Sequence, residues 1–310
     1  MKLHRFESSF PVGKVIIKHM YPMCFEEFLC ACGEDLLLDS IISAYKDMKP
    51  LPNGIHEKAI KLYTDYLFVG GMPSAVSDYL KNEKDALSFN REIHRNLITS
   101  YLADMTKYTF TPSEGIKIVE TYESLPRQLA KENPKFKYST IREFANKRDF
   151  ESSIDWLTAS QMAIKSISVN SVRSPLKVYE NTGIFKLYLS DVGLLCTLSG
   201  MQYKDLLSDE HNLFKGAVTE NYVIQEMHCK GVASHYFKPD QNMEIDELIE
   251  EDGVVPIEIK SGRHKRSTSL KNYIEKYEPK KAYRLSELNF GYNDNIFFIP
   301  LYAAFCIFTI

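Results

Sequence analysis

A charged pair on an otherwise apolar strand is the feature that most constrains this chain. Residues 255–260 read Val-Pro-Ile-Glu-Ile-Lys, and successive side chains of a strand alternate between its two faces. Val255, Ile257 and Ile259 therefore share one face, and Glu258 and Lys260 emerge together on the other. The pattern predicts a sheet with one buried face and, on the opposite face, a carboxylate beside an ammonium group.

The segment before this strand supplies a second acid. Residues 243–249 predict another strand, and the Glu-Asp-Gly sequence at 251–253 predicts a tight turn between the two. In such a hairpin we expect Asp246 to lie within metal-bridging distance of Glu258.

A third acid comes from a predicted helix over residues 214–229. Glu220 falls on the same stripe as Ala217, Ile224 and Met227, so it interrupts an apolar face. Because burial of a lone carboxylate is costly, either Glu220 meets a metal ion or a lysine, or the helix is rotated so that Glu220 reaches water. We favour the first alternative, since the other acids are only one hairpin away.

Three carboxylates and a lysine suit metal-dependent phosphodiester hydrolysis. Carboxylate oxygens select Mg²⁺ or Mn²⁺, and such an ion polarises a phosphoryl oxygen and lowers the pKa of a bound water. A nearby ammonium group can hold that water and offset developing charge. We therefore expect Glu220, Asp246 and Glu258 to bind the metal ion. The expected catalytic residues are Asp246, Glu258 and Lys260.

The charge distribution around this hairpin favours the same interpretation. Residues 240–259 contain eight acidic residues and no Lys or Arg, whereas residues 260–284 contain nine basic residues and two acids. A segment able to hold cations thus precedes one able to hold phosphates. Each run by itself is more often a solvated surface. The candidate phosphate contacts in the basic segment are Arg263, Lys265, Arg266 and Lys271.

The middle of the chain predicts a winged helix-turn-helix over residues 113–185. Three short helices are expected, one containing residues 116–125 and the others at 140–147 and 151–161. Strands are expected at 163–169 and 176–179. This order is typical of duplex DNA binding, with Lys147, Arg148 and Arg173 as candidate phosphate contacts. A dimerisation or linker role is the alternative, because Lys and Arg exceed Asp and Glu by only 8 to 5 over residues 113–148.

The first hundred residues read mostly as helix. An extended segment is expected at 12–18, helices at 25–29, 55–68 and 74–79, and a tight turn at Gly70-Gly71-Met72-Pro73.

Composition excludes several classes of protein. The 310 residues carry 38 Lys and Arg against 41 Asp and Glu, and 44% are hydrophobic, so neither a disordered chain nor a basic nucleic-acid coat is indicated. Six scattered cysteines do not form a disulfide framework. The apolar run at 296–310 is shorter than the roughly 20 residues that a bilayer requires and contains Pro300, which favours a buried strand and helix. The start has no secretory signal, and we expect a cytoplasmic protein without a membrane partner.

Two resemblances sharpen these expectations. The ordered set of Glu220, Asp246 and Glu258-Ile259-Lys260, followed by a basic helix, resembles the core of the PD-(D/E)XK nuclease fold. Seven segments in order are similar to a large prokaryotic family of AAA-type ATP-binding proteins. They are residues 9–15 (SFPVGKV), 21–29 (YPMCFEEFL), 70–73 (GGMP), 137–139 (KYS), 185–195 (FKLYLSDVGLL), 219–223 (TENYV) and 256–262 (PIEIKSG).

This resemblance implies a mixed α/β chain with four parts. Residues 1–30 would be the end of an ATPase module and residues 31–112 a helical region. Residues 113–185 would be the winged helix-turn-helix, and residues 186–310 a PD-(D/E)XK restriction-endonuclease-like domain. Glu247 departs from the family, which usually has an aromatic or apolar residue there, and this puts the packing of one strand in question.

A second departure concerns ATP. The phosphate-binding loop with which the family begins is missing, since G-x-x-x-x-G-K-[ST] does not occur in these residues. We therefore expect neither an ATP site nor ATPase activity. The expected function is that of an Mg²⁺- or Mn²⁺-dependent, nuclease-like protein associated with DNA or another nucleic acid. The alternative is a non-catalytic nucleic-acid-binding or regulatory remnant of an AAA-type ATPase, in which the carboxylates only stabilise the fold.

Overall fold

The computed structural model describes most of the chain. The described part of the first third is mostly helical. The described residues are 16, 18–107, 109, 111–131, 134–208, 213–262 and 268–309. Most of the extended segment expected at 12–18 lies outside them. The N-terminal helices are α1 (Phe25–Ala31), α2 (Asp35–Asp47), α3 (Asn53–Val69), α4 (Pro73–Lys81) and α5 (Glu92–Lys107). The predicted helices at 25–29, 55–68 and 74–79 are confirmed, whereas α2 and α5 were not predicted.

The turn at Gly70-Gly71 is confirmed, and it ties distant parts of the chain together. Gly70 has a φ of 71°, a conformation that favours glycine. A Cβ on Gly71 would lie 2.0 Å from the carbonyl oxygen of Met23, so the backbones meet here without room for a side chain. The buried carboxylate of Asp191 accepts the N–H groups of Gly71 at 2.7 Å and Leu194 at 2.8 Å. Three of the segments that carry the family resemblance, residues 21–29, 70–73 and 185–195, thus meet at one structural junction.

The middle segment contains two α-helices and a hairpin. They are α6 (Pro112–Leu129), α7 (Lys147–Ala159), β1 (Ala163–Val169) and β2 (Glu180–Leu189), with single 3₁₀ turns at Tyr138–Thr140 and Leu176–Tyr179. The hairpin is antiparallel and pairs Ala163 with Leu189.

Two expectations for this segment are wrong. The helix expected at 140–147 does not form, because Phe144 has a left-handed φ of 61° and Asn146 is extended (φ −130°, ψ 171°), and α7 begins directly after Asn146. Asparagine favours this position before a helix. The strand expected at 176–179 is a 3₁₀ turn, since Pro175 has the fixed φ that starts a turn and its carbonyl accepts the N–H of Val178 at 3.1 Å. The strand β2 begins only at Glu180.

The remaining elements complete one sheet, to which β1 and β2 already belong, and build a second. The helices are α8 (Val192–Ser199), α9 (Tyr203–Leu207), α10 (Leu213–Cys229), α11 (Thr268–Tyr277) and α12 (Ala304–Ile307). The strands are β3 (His235–Tyr236), β4 (Glu247–Glu251), β5 (Gly253–Ile259), β6 (Ala282–Ser286), β7 (Gly291–Asn293) and β8 (Ile296–Pro300). A three-stranded sheet has the order β2-β1-β3, and a five-stranded sheet has the order β4-β5-β6-β8-β7.

The five-stranded sheet combines an antiparallel hairpin with a parallel crossover. The expected Glu-Asp-Gly turn joins β4 to β5, and Glu247 pairs with Ile257. After α11 the chain returns as β6, parallel to β5, and β8 is parallel to β6. The strand expected at 243–249 is displaced toward the turn, and β7 was not predicted.

Both faces of this sheet are covered. Val255, Ile257 and Ile259 belong to the larger core, which also contains apolar residues of α10 and the N-terminal helices. Leu248 packs in a smaller core with Tyr273 of α11. The apolar run expected to form a strand and a helix does form β8 and α12, and its residues 299–308 are buried. Within the described ranges, no helix is both long and apolar enough to cross a membrane.

Candidate active site

The hairpin brings Asp246 and Glu258 to neighbouring positions. Asp246 directly precedes β4, and continuation of the register from Glu247 and Ile257 places it opposite Glu258. The Oδ2 atom of Asp246 accepts the backbone N–H of Ile259 at 2.7 Å. Lys260 follows on the same face as Glu258, and its Nζ lies 3.2 Å from Glu258 Oε1. A short stretch of backbone therefore fixes two acids and a lysine in one place.

Glu258 is more enclosed than the strand pattern suggested. Its side chain is 2% exposed, because the face that carries it is covered rather than open to solvent. Arg284, its partner in the register of β6, places Nε 4.0 Å from Glu258 Oε2. The sequence analysis did not single out Arg284, since its proximity depends on the parallel crossover.

Glu220 of α10 meets a lysine that the sequence analysis also missed. Its Oε1 accepts a hydrogen bond from Lys186 Nζ at 2.8 Å and another from the hydroxyl of Tyr188 at 2.5 Å. Both donors come from β2. Their spacing of two residues in the otherwise apolar run Phe-Lys-Leu-Tyr-Leu is the signal that could have identified them as a pair on one face.

Lys186 is a buried cation with two carboxylate partners. It is 1% exposed, and its Nζ also lies 3.2 Å from Glu244 Oε1 and 4.8 Å from the ring centroid of Tyr236. Burial alone would lower the pKa of Lys186, but the negative charges of Glu220, Glu244 and Asp246 outweigh it and hold this pKa above its ordinary value. The amine is therefore charged throughout the neutral range.

The charges of these acids and lysines shift one another's pKa values. Burial raises the pKa of Asp246 to about 7, and the charge of Glu220 adds to this shift while Lys260 and Lys186 oppose it. Burial would lower the pKa of Lys260, but Asp246 and Glu258 raise it above its ordinary value. We name these residues the carboxylate–lysine cluster, whose members are Lys186, Glu220, Glu244, Asp246, Glu258 and Lys260.

Glu247 has a separate role in packing. Its carboxyl group is fully buried and accepts hydrogen bonds from Ser166 Oγ at 3.1 Å, Ser234 Oγ at 2.9 Å and the N–H of His235 at 3.0 Å. Burial holds the pKa of Glu247 well above its usual range. An acid that seemed out of place in the strand thus joins β4 to the three-stranded sheet.

The cluster does not present a ready-made cage for a metal ion. Over the part of the chain that the structure describes, no group of three or more His, Cys, Asp or Glu side chains is arranged to hold one. Glu220 is engaged by Lys186 and Tyr188, and Asp246 by a backbone amide. Asp246 and Glu258 lie at neighbouring strand positions, and their carboxylate oxygens are of the kind that hard cations prefer.

The predicted nucleic-acid contacts lie on several elements. Lys147 and Arg148 are exposed at the start of α7, and Lys147 Nζ lies 3.2 Å from Glu151 Oε1. Arg173 is exposed in the loop between β1 and β2 and lines a cavity of about 600 Å³ together with residues of α11. Lys271 is exposed on α11, 3.6 Å from Glu275. Arg263, Lys265 and Arg266 lie outside the described residues.

Two family models match the chain. One, a domain of unknown function (DUF8612), matches residues 60–205, and the other, a domain of unknown function (DUF4143), matches residues 215–304. The second is often associated with AAA-type ATPase proteins. No curated protein and no solved structure matches the chain. Lys186 falls in the first matched stretch and the acids of the cluster in the second, so the cluster spans both.

Proposed function

We propose that the C-terminal part of the chain is a PD-(D/E)XK nuclease-like domain that hydrolyses phosphodiester bonds with a divalent cation. The observation that carries the proposal is the meeting of Asp246 with Glu258-Ile259-Lys260 at neighbouring strand positions. Hard oxygen ligands and an ammonium group in one enclosed place are what this chemistry requires.

The order of elements supports the proposal. Helix α10 is followed by β3, and Phe237 just after β3 forms an antiparallel bridge with Ile245. The antiparallel pair β4 and β5 comes next, then α11 and the parallel strand β6. The order of α10 with Glu220, the hairpin with Asp246 and Glu258-Ile259-Lys260, and then α11 is the order on which the resemblance to the nuclease core rests.

The cation would be held by Asp246 and Glu258. Mg²⁺ usually keeps several waters and is bound through one or two carboxylates and the substrate phosphate, so a cage of three protein ligands is not required. We assign Glu220 to holding Lys186 and Tyr188, because its Oε1 already accepts hydrogen bonds from both. When bound, the cation polarises the phosphoryl oxygen and lowers the pKa of a water.

Lys260 and the burial of the cluster supply the remaining chemistry. The ammonium of Lys260 lies beside Glu258, where it can orient a water for attack and offset negative charge on the phosphorane-like transition state. The enclosed position of Glu258 strengthens these interactions, since charges interact more strongly away from water. The phosphates of DNA or another nucleic acid would be held by Lys147 and Arg148 of α7 and by the basic segment at residues 263–271.

The test is cation-dependent cleavage. The wild type is incubated with plasmid DNA, single-stranded DNA and RNA in the presence of Mn²⁺, Mg²⁺ or a chelator, beside Asp246→Asn and Lys260→Met. We expect cleavage only with a cation, and a loss of about 100-fold or more in each variant. Lys46→Met, at an exposed position on α2, is the matched control and should cleave normally. Equal cleavage by Asp246→Asn and the wild type would contradict the proposal.

The second candidate is a non-catalytic nucleic-acid-binding or regulatory module. The contacts of Lys186 favour it, because a buried ammonium already neutralises part of the acidic charge. This candidate gives salt-sensitive nucleic-acid binding without cleavage, and Mn²⁺ would not raise the melting temperature.

A further inference from the structure

The carboxylate–lysine cluster has two halves, one around Lys186 and one around Lys260. On one side Lys186 Nζ lies 2.8 Å from Glu220 Oε1 and 3.2 Å from Glu244 Oε1. On the other side Lys260 Nζ lies 3.2 Å from Glu258 Oε1, with Asp246 within electrostatic reach of both lysines. Each half therefore has its own cation, but the two lysines differ in their burial.

The burial of Lys186 is the unusual part of this arrangement. Its side chain is 1% exposed, whereas that of Lys260 is 25% exposed. An ammonium taken out of water is stable only when carboxylates and further contacts replace its hydration. Lys186 has both kinds of contact, because two carboxylates face its Nζ and the ring of Tyr236 lies 4.8 Å away. It is thus a resident cation of the protein, bound by the protein's own acids.

The acids that hold Lys186 are those that would otherwise bind a cation there. Tyr188 fixes Glu220 through the same oxygen that Lys186 uses, and Lys238 is hydrogen-bonded to the second oxygen of Glu244. Both carboxylates are therefore aimed at one ammonium group. Two carboxylates with hard oxygens that converge on one point are a typical partial ligand set for Mg²⁺ or Mn²⁺.

We propose that the Lys186 ammonium takes the place of a divalent cation between Glu220 and Glu244 and so restricts metal binding to Asp246 and Glu258. Its consequence is a limit of one divalent cation per chain at the cluster. The part of this proposal that assigns the divalent cation to Asp246 and Glu258 rests on the proposed function. The claim about Lys186 stands on its own contacts.

The experiment counts bound Mn²⁺ by electron paramagnetic resonance titration. The variants are Lys186→Met, which removes the charge but keeps an unbranched side chain, Lys186→Arg, which keeps the charge, and the double variant Lys186→Met with Glu244→Gln. We expect Lys186→Met to bind one more Mn²⁺ per chain than the wild type, held by the oxygens of Glu220 and Glu244. Lys186→Arg should match the wild type, and the double variant should lose the added ion.

A second measurement keeps the proposal testable if Lys186→Met fails to fold. Wild-type crystals soaked in Mn²⁺ are examined by anomalous scattering. A Mn²⁺ peak between Glu220 and Glu244 would overturn the proposal, and so would unchanged Mn²⁺ binding by a folded Lys186→Met variant. Anomalous signal confined to Asp246 and Glu258 supports it, and a cluster without any Mn²⁺ would overturn the part that assigns the cation to Asp246 and Glu258. Failure of the nuclease proposal appears separately, as wild-type protein that cleaves no nucleic acid with any cation.

Discussion

Asp191, which is buried, and Asp246, which is half-buried, have opposite surroundings. Asp191, at the junction of the N-terminal helices with α8, is held by the backbone N–H groups of Gly71 and Leu194. Asp246, at the hairpin, accepts one backbone N–H and otherwise interacts with the charges of Lys260, Glu220 and Lys186. Burial raises the pKa of both, to about 6 for Asp191 and about 7 for Asp246.

The comparison separates an acid that shapes the fold from one suited to chemistry. Backbone amides are fixed by the fold, so the Asp191 carboxylate locks the segments that supply them. Side-chain cations and a neighbouring acid can rearrange when a ligand brings its own charge. A raised pKa by itself therefore does not mark a functional acid; the kind of partner that surrounds it is the more informative feature.

The largest effect on the free energy of unfolding is expected at the junction around Asp191. In Gly71→Ala the new Cβ would lie 2.0 Å from the Met23 carbonyl oxygen, so two backbone segments must separate. We expect a loss of about 4 kcal/mol or more in the free energy of unfolding, measured by urea denaturation. Gly54→Ala in α3 is the matched control, because nothing lies within 4 Å of its Cβ position. It should be neutral or stabilising by about 0.5 kcal/mol. A Gly71→Ala protein as stable as this control would show that the junction is not rigid.

An intermediate effect on stability is expected from Glu226 of α10, another buried acid. Its Oε1 accepts the N–H of Phe25 at 2.8 Å, and burial raises its pKa from 4.5 to about 8. Between these values the unfolded chain ionises while the folded chain keeps the proton. Stability therefore falls as the pH rises from about 4.5 to 8, by about 1.4 kcal/mol for each pH unit.

Glu226→Gln tests this pH dependence. The amide keeps an acceptor for Phe25 but has no charge to bury, so the contribution of this site to the slope disappears. We expect nearly equal stability near pH 5 and a variant more stable than the wild type by about 4 kcal/mol at pH 8. Urea denaturation at both pH values measures the difference, and parallel pH profiles for the two proteins would show that Glu226 does not control stability.

The smallest effect on stability is expected at Asp246 itself. In Asp246→Asn the amide oxygen can take over from Oδ2 as acceptor for the N–H of Ile259, and the loss of charge removes both the attraction of Lys260 and Lys186 and the repulsion from Glu220. We expect a change within about 1 kcal/mol without added cation. Thermal melts of the two proteins in chelator measure it. A loss as large as that of Gly71→Ala would place Asp246 with Asp191 among the acids that shape the fold.

Some elements of the fold could be predicted from the residues within them. Helix α10, the β5 strand and the turn at 251–253 follow from apolar spacing and from the Glu-Asp-Gly sequence. The helix expected at 140–147 did not form because the backbone is left-handed at Phe144 and extended at Asn146, and the strand expected at 176–179 did not form because Pro175 starts a turn. In both cases the backbone conformation of one or two residues overrode the wider pattern.

The candidate site was predicted in part for the same reason. Asp246, Glu258 and Lys260 are joined by one hairpin, so their proximity could be expected from spacing. Lys186 and Arg284 could not be found in this way, because Lys186 reaches Glu220 across 34 residues and Arg284 reaches Glu258 through a parallel crossover. Pairing between strands that are distant in the chain depends on how whole elements pack.

The sequence alone determined which side chains share a strand or helix face, because backbone geometry repeats every two residues in a strand and about every 3.6 in a helix. It therefore placed Glu258 beside Lys260 and put an acid on the apolar face of α10. Only the tertiary structure decided that β2 brings Lys186 to Glu220 and Glu244. That choice rests on the burial of large apolar surfaces between elements, and the charges inside had to be paired once those surfaces closed.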